Sequence, residues 1–455
     1  MSLKFLDMPT KNISSFYNIL NNFLDVHFIE VISKTSIALF LKLFASLIGF
    51  LLNLTISRML GSSNAGIYFL CLTFITIASD LSRIGIDNSL IRFISYHKAN
   101  NEWGFIKGLY NHSVLLILIV SIIVSILFFF ITPFLSRYFF PDSQLSKSMR
   151  LFSFSIVPMT MILFHSNALT GLKRVSYSII LSSITIPLLS IIFNLVLIPI
   201  FGLNGSILSY FLSCTFAIIV GFIFWNKSMP DKNYSKFFFG FKSLLSSCFP
   251  LYISHIFGLI IQWSPVLFIG AWCSKSDVAI YSIANRTSAV ISLIHIAANS
   301  IVAPKLSEIF RGKNNEELKF FANKSTAMVI LLTFPLFIAC LIFSKFIMGL
   351  FGPEFISGWK IFCILSIGQF ASIITGPVGF ILIMTGKEIY MRNIIIISSL
   401  LTLISCYYLT TKLDILGASI ASTISLIFLN FITMFAVRKC FGFWTIPNFK
   451  TIANN

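Results

Sequence analysis

Eight polar or charged side chains stand inside stretches that are otherwise apolar: Lys42, Asn53, Asp80, Arg83, Asp87, Asn285, Arg286 and His295. An ionised group at the centre of a membrane helix costs roughly 2.5–3.5 kcal/mol on insertion scales, so such residues line a cavity or pair with one another. Cations and amides placed there have the chemistry to hold an anionic, hydroxyl-rich molecule, whereas carboxylates would exchange cations. Lys42, Ser46, Gly49, Asn53 and Ser57 recur at helical spacing and make one polar stripe. Asp80, Arg83 and Asp87 share a second face, and Arg286 shares a third with Ala279, Ser282 and Ala289, with Asn285 and His295 near it. Ser247, Ser254, Gly258 and Gln262 form a fourth. Each has a plainer reading. Lys42 can snorkel to an interface, Arg83 can simply neutralise Asp80 or Asp87, and His165, His255 and His295 can pack or line a pore without relaying protons. Small–polar stripes also serve as helix-packing seams. Arg286 is the leading candidate for contact with a substrate.

The elements that must position these residues are membrane spans. The chain has 455 residues, 57% hydrophobic and only 11% charged, against about 25% charged in soluble domains. Apolar blocks of roughly 20 residues, enough to cross a hydrocarbon layer, predict spans near 35–57, 65–91, 113–136, 149–170, 175–199 and 205–226. They resume near 243–272, 278–303, 325–350, 357–384, 391–411 and 415–437. The expected architecture is therefore all-α and polytopic, with about twelve transmembrane helices. Pro158, Pro187, Pro250, Pro335 and Pro377 fall inside spans, which bundles tolerate where neighbours satisfy the freed backbone groups.

With the amino terminus inside, roughly 22 of the 33 Lys and Arg fall on the inner side and about 8 on the outer loops; Lys42, Arg83 and Arg286 remain within spans. That asymmetry predicts both termini cytoplasmic. The net charge of +18 is dispersed over many short loops, which reads as topology signal and contact with anionic lipids, not as a nucleic-acid surface. Residues 1–32 lack the apolar core and cleavage site of a signal peptide; Phe16, Ile19, Leu20 and Phe23 suggest an interfacial amphipathic helix, with a plain cytoplasmic tail as the alternative. The eight cysteines are scattered without C-x-x-C spacing, so neither a disulfide framework nor a metal site is expected, and no cofactor is implied.

The chain repeats itself. Ser63-Asn64-Ala65-Gly66-Ile67-Tyr68 before the second span corresponds to Ser276-Asp277-Val278-Ala279-Ile280-Tyr281 before the eighth. Asn88-Ser89-Leu90 recurs as Asn299-Ser300-Ile301, and Leu203-Asn204-Gly205-Ser206 as Ile415-Leu416-Gly417-Ala418. Six spans separate each pair, so the halves share one orientation and are related by a parallel pseudo-twofold along the membrane normal. The expected organisation is a six-helix bundle over 33–226, a cytoplasmic linker over 227–240, a second bundle over 241–440 and a tail over 441–455, with a central cavity between bundles.

Arg58-Met-Leu-Gly61-Ser-Ser-Asn-Ala-Gly66-Ile-Tyr68 resembles the R-x-L-G-x-x-x-x-G-x-Y loop of polysaccharide-biosynthesis transporters of the O-antigen flippase type. Asp80-Leu-Ser-Arg83-Ile-Gly85-Ile-Asp87-Asn-Ser-Leu90-Ile91-Arg92-Phe93-Ile94 is similar to the run that follows it in those proteins, although the Asp–Gly spacing is shifted and Arg83 is added. Ala279-Ile-Tyr281-Ser-Ile-Ala284-Asn285-Arg286 and Pro304-Lys305-Leu306-Ser307, preceded by Trp263 and Gly270, extend the resemblance, which runs from about residue 33 to 440. It implies the fold of the multidrug/oligosaccharidyl-lipid/polysaccharide (MOP) superfamily, like that of MATE transporters. It further implies transport of an undecaprenyl-pyrophosphate-linked oligosaccharide, an O-antigen or similar lipopolysaccharide repeat unit, across a bacterial inner membrane. Coupling to H+ or Na+ and assembly with a polysaccharide polymerase are left open.

A pyrophosphate carries about two negative charges and a glycan many hydroxyls, so the path needs cations and hydrogen-bonding groups. The first rival is an H+- or Na+-coupled multidrug antiporter of the same superfamily, which would use Asp80 and Asp87; the first span, however, offers a lysine and no acid. The second is a membrane glycosyltransferase or polymerase. Such an enzyme needs a large catalytic loop, and Glu308, Glu316 and Glu317 instead lie scattered among basic residues.

Overall fold

A computed structural model describes residues 26–140, 143–230, 241–312 and 315–446. Among them every regular element is helical. The expected amphipathic segment around Phe16–Phe23, most of the linker and most of the carboxy-terminal tail lie outside the described residues. In the first half, α1 (Val26–Ser82), α2 (Ile86–Ala99), α3 (Trp103–Tyr138), α4 (Ser143–Ser153) and α5 (Ile156–Gly171) precede α6 (Val175–Ile179). A π-helical turn (Ile180–Thr185) then leads into α7 (Ile186–Ser228). The second half comprises α8 (Phe241–Trp272), α9 (Lys275–Ser288), a 3-10 turn (Ala289–Ser292), α10 (Leu293–Arg311) and α11 (Asn315–Ile342). It ends with α12 (Ser344–Leu350), a 3-10 turn (Pro353–Gly358), α13 (Trp359–Ile374), α14 (Val378–Met384) and α15 (Glu388–Phe441). The first bundle thus begins at Val26 and ends at Ser228, slightly outside the expected 33–226.

Seven of the described helices are long and apolar enough to cross a membrane, or eight if the bent pair Gln144–Ser153 and Ile156–Gly171 is one span. Three of the seven are divided internally, by Gly61 in α1, Gly202 in α7 and Asp414 in α15. At Gly202 (φ 56, ψ −130) and Asp414 (φ 50, ψ −134) the backbone takes nearly the same turn. Three residues beyond each turn a Cβ on Gly205 would lie 2.1 Å from Leu197 O, and one on Gly417 would lie 1.9 Å from Leu409 O. The repeat read in the sequence is therefore a repeated hairpin, with glycine where the returning helix meets the carbonyl of the outgoing one.

Lipid inverts the usual polarity of the helices. α3 buries Ser113, Ser121, Thr132 and Ser136 and exposes Ile119, Ile123, Leu127, Phe130 and Phe134. α15 likewise buries Ser398, Ser399, Thr402 and Thr410 while exposing Ile397, Leu400, Ile404 and Tyr408. Small hydroxyl residues let backbones approach closely, and where water is absent the apolar side chains belong in the hydrocarbon. Four of these eight hydroxyls, those of Ser121, Thr132, Ser399 and Thr402, donate to a carbonyl three or four residues back, as Thr402 Oγ1 does to Ser398 O at 2.7 Å.

The hydrophobic core divides unevenly. One continuous cluster joins both halves, from Tyr68, Phe69 and Phe152 to Tyr281, Ile283, Phe351 and Phe362. Three further clusters each stay within one half, the smallest of them Ala45, Ile48 and Ile184; the other two are larger. Ile86, Leu90, Ile106, Met161 and Trp225 form one; Val302, Leu306, Leu318, Ile381 and Val437 form the other. These two separate cores lie on elements whose ends and loops carry Lys98, Lys173 and Arg174 in one half and Lys305 and Lys387 in the other. At that basic end each half packs on itself; at the opposite end they share a core.

Candidate translocation site between the two halves

The halves meet through α1 and α2 on one side and α8, α9, α10 and the Pro353–Gly358 turn on the other. At the interface, Arg286 sits in the last turn of α9, just before the chain tightens into the Ala289–Ser292 3-10 turn. Carbonyls left free at a helix carboxy end favour a cation there. Its guanidinium lies over the Phe69 ring, 5.1 Å from the centroid. No ion pair or hydrogen bond ties its side chain to any described residue. Neighbouring Asn285 is half-buried, and its amide is likewise unpartnered among the described residues.

The α1 stripe runs toward the closed end. Lys42 lies near the start of the apolar span Phe40–Ser82. Lys42 and Asn53 are half-buried, and neither side chain has a hydrogen-bond or ion-pair partner among the described residues. Between them Gly49 faces open space: a Cβ there would meet nothing within 4 Å. The stripe closes at Ser57, which is 1% exposed and whose Oγ has no partner. On α8, Gly258 also faces open space, with His255 and Gln262 exposed on the same helix. Their polarity would be costly against hydrocarbon, so the space beside Gly258 is a polar one.

Asp80, Arg83 and Asp87 come together as a brace. Arg83 Nη2 pairs with Asp80 Oδ1 at 2.5 Å and Nε with Asp87 Oδ2 at 2.7 Å. Asn167 Nδ2 donates to Asp87 Oδ1 at 2.7 Å, fastening α2 to α5. The brace spans the break between α1 and α2, where Ile84 and Gly85 take positive φ. There Tyr252 of α8 donates to Leu81 O at 3.1 Å across the interface. Arg83 is thus the internal neutraliser of two carboxylates. His295 accepts from Asn299 Nδ2 on its Nε2 at 2.9 Å, so its proton rests on Nδ1. His165 is a packing residue: Tyr110 OH donates to Nε2 at 2.8 Å and Nδ1 donates to Met161 O at 2.6 Å.

Sequence spacing did not single out Asn167, the aromatic surroundings of Arg286, or Asn194. Asn194 is 1% exposed with neither amide atom partnered, and the hydroxyls of Ser190 and Ser206 on the same hairpin are also orphaned. Buried polar atoms normally have partners, a signal visible only in three dimensions. No group of three or more His, Cys, Asp or Glu suited to a metal ion occurs among the described residues.

This architecture has the fold of solved transporters of the MOP superfamily. It superposes on lipid II flippase MurJ in an inward closed conformation (TM-score 0.72, 16% identity, 88% of this chain and 87% of that one). An inward-facing MATE multidrug resistance transporter fits comparably (TM-score 0.71, 14% identity, covering 89% and 98%). A MOP transporter of Pyrococcus furiosus, described as having a binding pocket of reverse polarity, matches at TM-score 0.68 and 12% identity over 90% of this chain and 95% of that one. The chain belongs to the polysaccharide biosynthesis protein family, whose model matches residues 31–310, and the MatE model matches 250–408. An uncharacterized membrane protein of Methanocaldococcus jannaschii is 25% identical over 83% of this chain and 78% of its own length. A probable low-salt glycan biosynthesis flippase of Haloferax volcanii is 28% identical over 38% of this chain and 37% of its own length.

Proposed function

We propose that this chain is a flippase, not an enzyme, that carries a polyprenyl-pyrophosphate-linked oligosaccharide from the cytoplasmic to the periplasmic leaflet of a bacterial inner membrane by alternating access. In this reading the chain crosses twelve times with both termini cytoplasmic, so the end with separate cores opens to the cytoplasm. The observation that carries it is Arg286, a cation at the interface of the halves with no carboxylate paired to it among the described residues. A diphosphate supplies the missing charge, Lys42 adds a second cation, and Asn53, Asn285, His255 and Gln262 offer donors and acceptors to sugar hydroxyls. Two named flippases stand among the similar proteins. The antiporter reading loses its acids, because Arg83 already occupies both Asp80 and Asp87. An O-antigen repeat unit is the specific cargo this reading favours.

Complementation of a strain lacking its own surface-polysaccharide flippase tests the proposal. Wild type restores surface polysaccharide. Arg286→Ala at equal protein level loses about tenfold or more, the worth of one charge-assisted contact, and Arg286→Lys retains part. Failure to restore, together with new resistance to cationic dyes, would replace the flippase with the antiporter.

A further inference from the structure

The two halves differ at the closed end. In the first half the connection between α3 and α4 is the short 139–142 segment; in the second the matching connection is enlarged into an elbow over 344–358, formed by α12 and the Pro353–Gly358 turn. This elbow reaches across to the other half. Arg58 Nε donates to Leu350 O at 2.7 Å, and Ser62 N donates to Glu354 Oε2 at 2.8 Å. Ser62 N follows the Gly61 turn, so the Glu354 carboxylate caps the start of the helical arm that leads to Ser82, where orphan N–H groups and the helix dipole favour an anion. Beside it Ser62 Oγ meets Ser276 Oγ at 2.9 Å, and Gly66 lies so close to Lys275 that a Cβ would stand 1.8 Å from its carbonyl oxygen. Phe50 contacts Phe351 edge-on at 5.1 Å. Bordering these contacts, a cavity of about 420 Å³ is lined by Ser57, Arg58, Gly61, Phe351, Glu354 and Phe355, among others.

We propose that the 344–358 elbow is a latch: Glu354 and the Leu350 carbonyl, holding Ser62 and Arg58 of the opposite half, keep this face shut, and their release is the step that opens it. The chemistry suits a reversible device. Glu354 and Arg58 are exposed, and solvent-exposed hydrogen bonds contribute little enough to break within a transport cycle. Two states separated by only a few kcal/mol are redistributed by changes of that size. The latch rests on the alternating-access reading but not on the identity of the cargo.

The test needs no cargo. Purified protein in lipid nanodiscs, with both faces accessible and the native cysteines replaced by alanine, carries either Ser57→Cys beneath the latch or Gly49→Cys in the open space. Reaction rates with a water-soluble maleimide are compared with the latch intact, with Glu354→Gln and with Glu354→Ala. The latch predicts that Glu354→Ala labels Ser57→Cys about fivefold faster or more and slows Gly49→Cys in parallel, as expected of a shift between two states. Glu354→Gln, which keeps an acceptor oxygen and the side chain's size, falls between and serves alone if the alanine variant does not fold. Unchanged rates at both positions overturn the latch. Faster labelling at Ser57→Cys with Gly49→Cys unaffected also overturns it, because that pattern is local loosening. If the wild type restores no surface polysaccharide while these labelling shifts hold, the cargo reading fails and the latch stands.

Discussion

A guanidinium inside a membrane protein is informative according to what neutralises it, and here two arginines have opposite circumstances. Arg83 holds two carboxylates at once, so removing it leaves two poorly solvated anions without a cation. Breaking such a pair costs roughly 3–5 kcal/mol. Arg83→Ala is expected to lower the melting temperature in detergent sharply, and adding Asp80→Asn and Asp87→Asn to it should recover most of the loss. Retained stability with lost transport would move Arg83 to the translocation path. Arg286 has an aromatic face and no anion paired to it among the described residues, so its substitution should cost transport and leave the melting temperature nearly unchanged.

The family-like loop motif acquires element-level reasons. Gly61 supplies the positive φ that turns α1, Gly66 permits the close approach of Lys275, Tyr68 fills the shared core, and Arg58 reaches the elbow. The two hairpins make a sharper comparison. At Gly205 and Gly417 a methyl group would collide with backbone, which cannot move aside. Alanine at either position should destabilise by about 1–3 kcal/mol or more, read as loss of folded protein by fluorescence-detected gel filtration. Asp414 is different: it holds a φ of 50° with ψ −134°, a turn conformation dominated by glycine. Relief of strain worth of order 1–3 kcal/mol should exceed glycine's entropic cost of roughly 0.5–1 kcal/mol, so Asp414→Gly should raise the melting temperature. An unchanged or lowered value would mean that the Asp414 side chain itself stabilises the turn.

For the whole molecule, one shared core and the two larger separate ones define an interface that is closed at one end and free to part at the other. In membrane vesicles of known sidedness, Gly49→Cys and Gly258→Cys should react with an impermeant thiol reagent applied to the cytoplasmic face and be protected from the other. Reaction from the outer face only would invert the topology. Outward movement of a dianion through 100 mV, inside negative, releases roughly 5 kcal/mol before the carrier's own charges are counted. Collapsing the electrical potential while keeping the pH gradient should therefore slow flipping, and indifference to the potential would point to an electrically silent cycle.

The sequence by itself determined the solvent, the all-helical class, the repeat and the intramembrane charges, because each depends on composition or on local spacing. Apolar length fixes which segments suit a membrane, and helical periodicity fixes which residues share a face. It could also state that Arg83 had acids within reach, since Asp80 and Asp87 lie three and four residues away on one helix. Only the tertiary structure decided which charges were already paired. Asn167 joins Asp87 from 80 residues away, Phe69 meets Arg286 across the interface, and Glu354 reaches Ser62 over 292 residues. Such contacts depend on how one half packs on the other, a relation that no local pattern encodes. In lipid the hydrophobic periodicity that would orient a soluble helix runs the other way, so spacing identifies a polar face without saying whether it meets a cavity or a neighbouring helix.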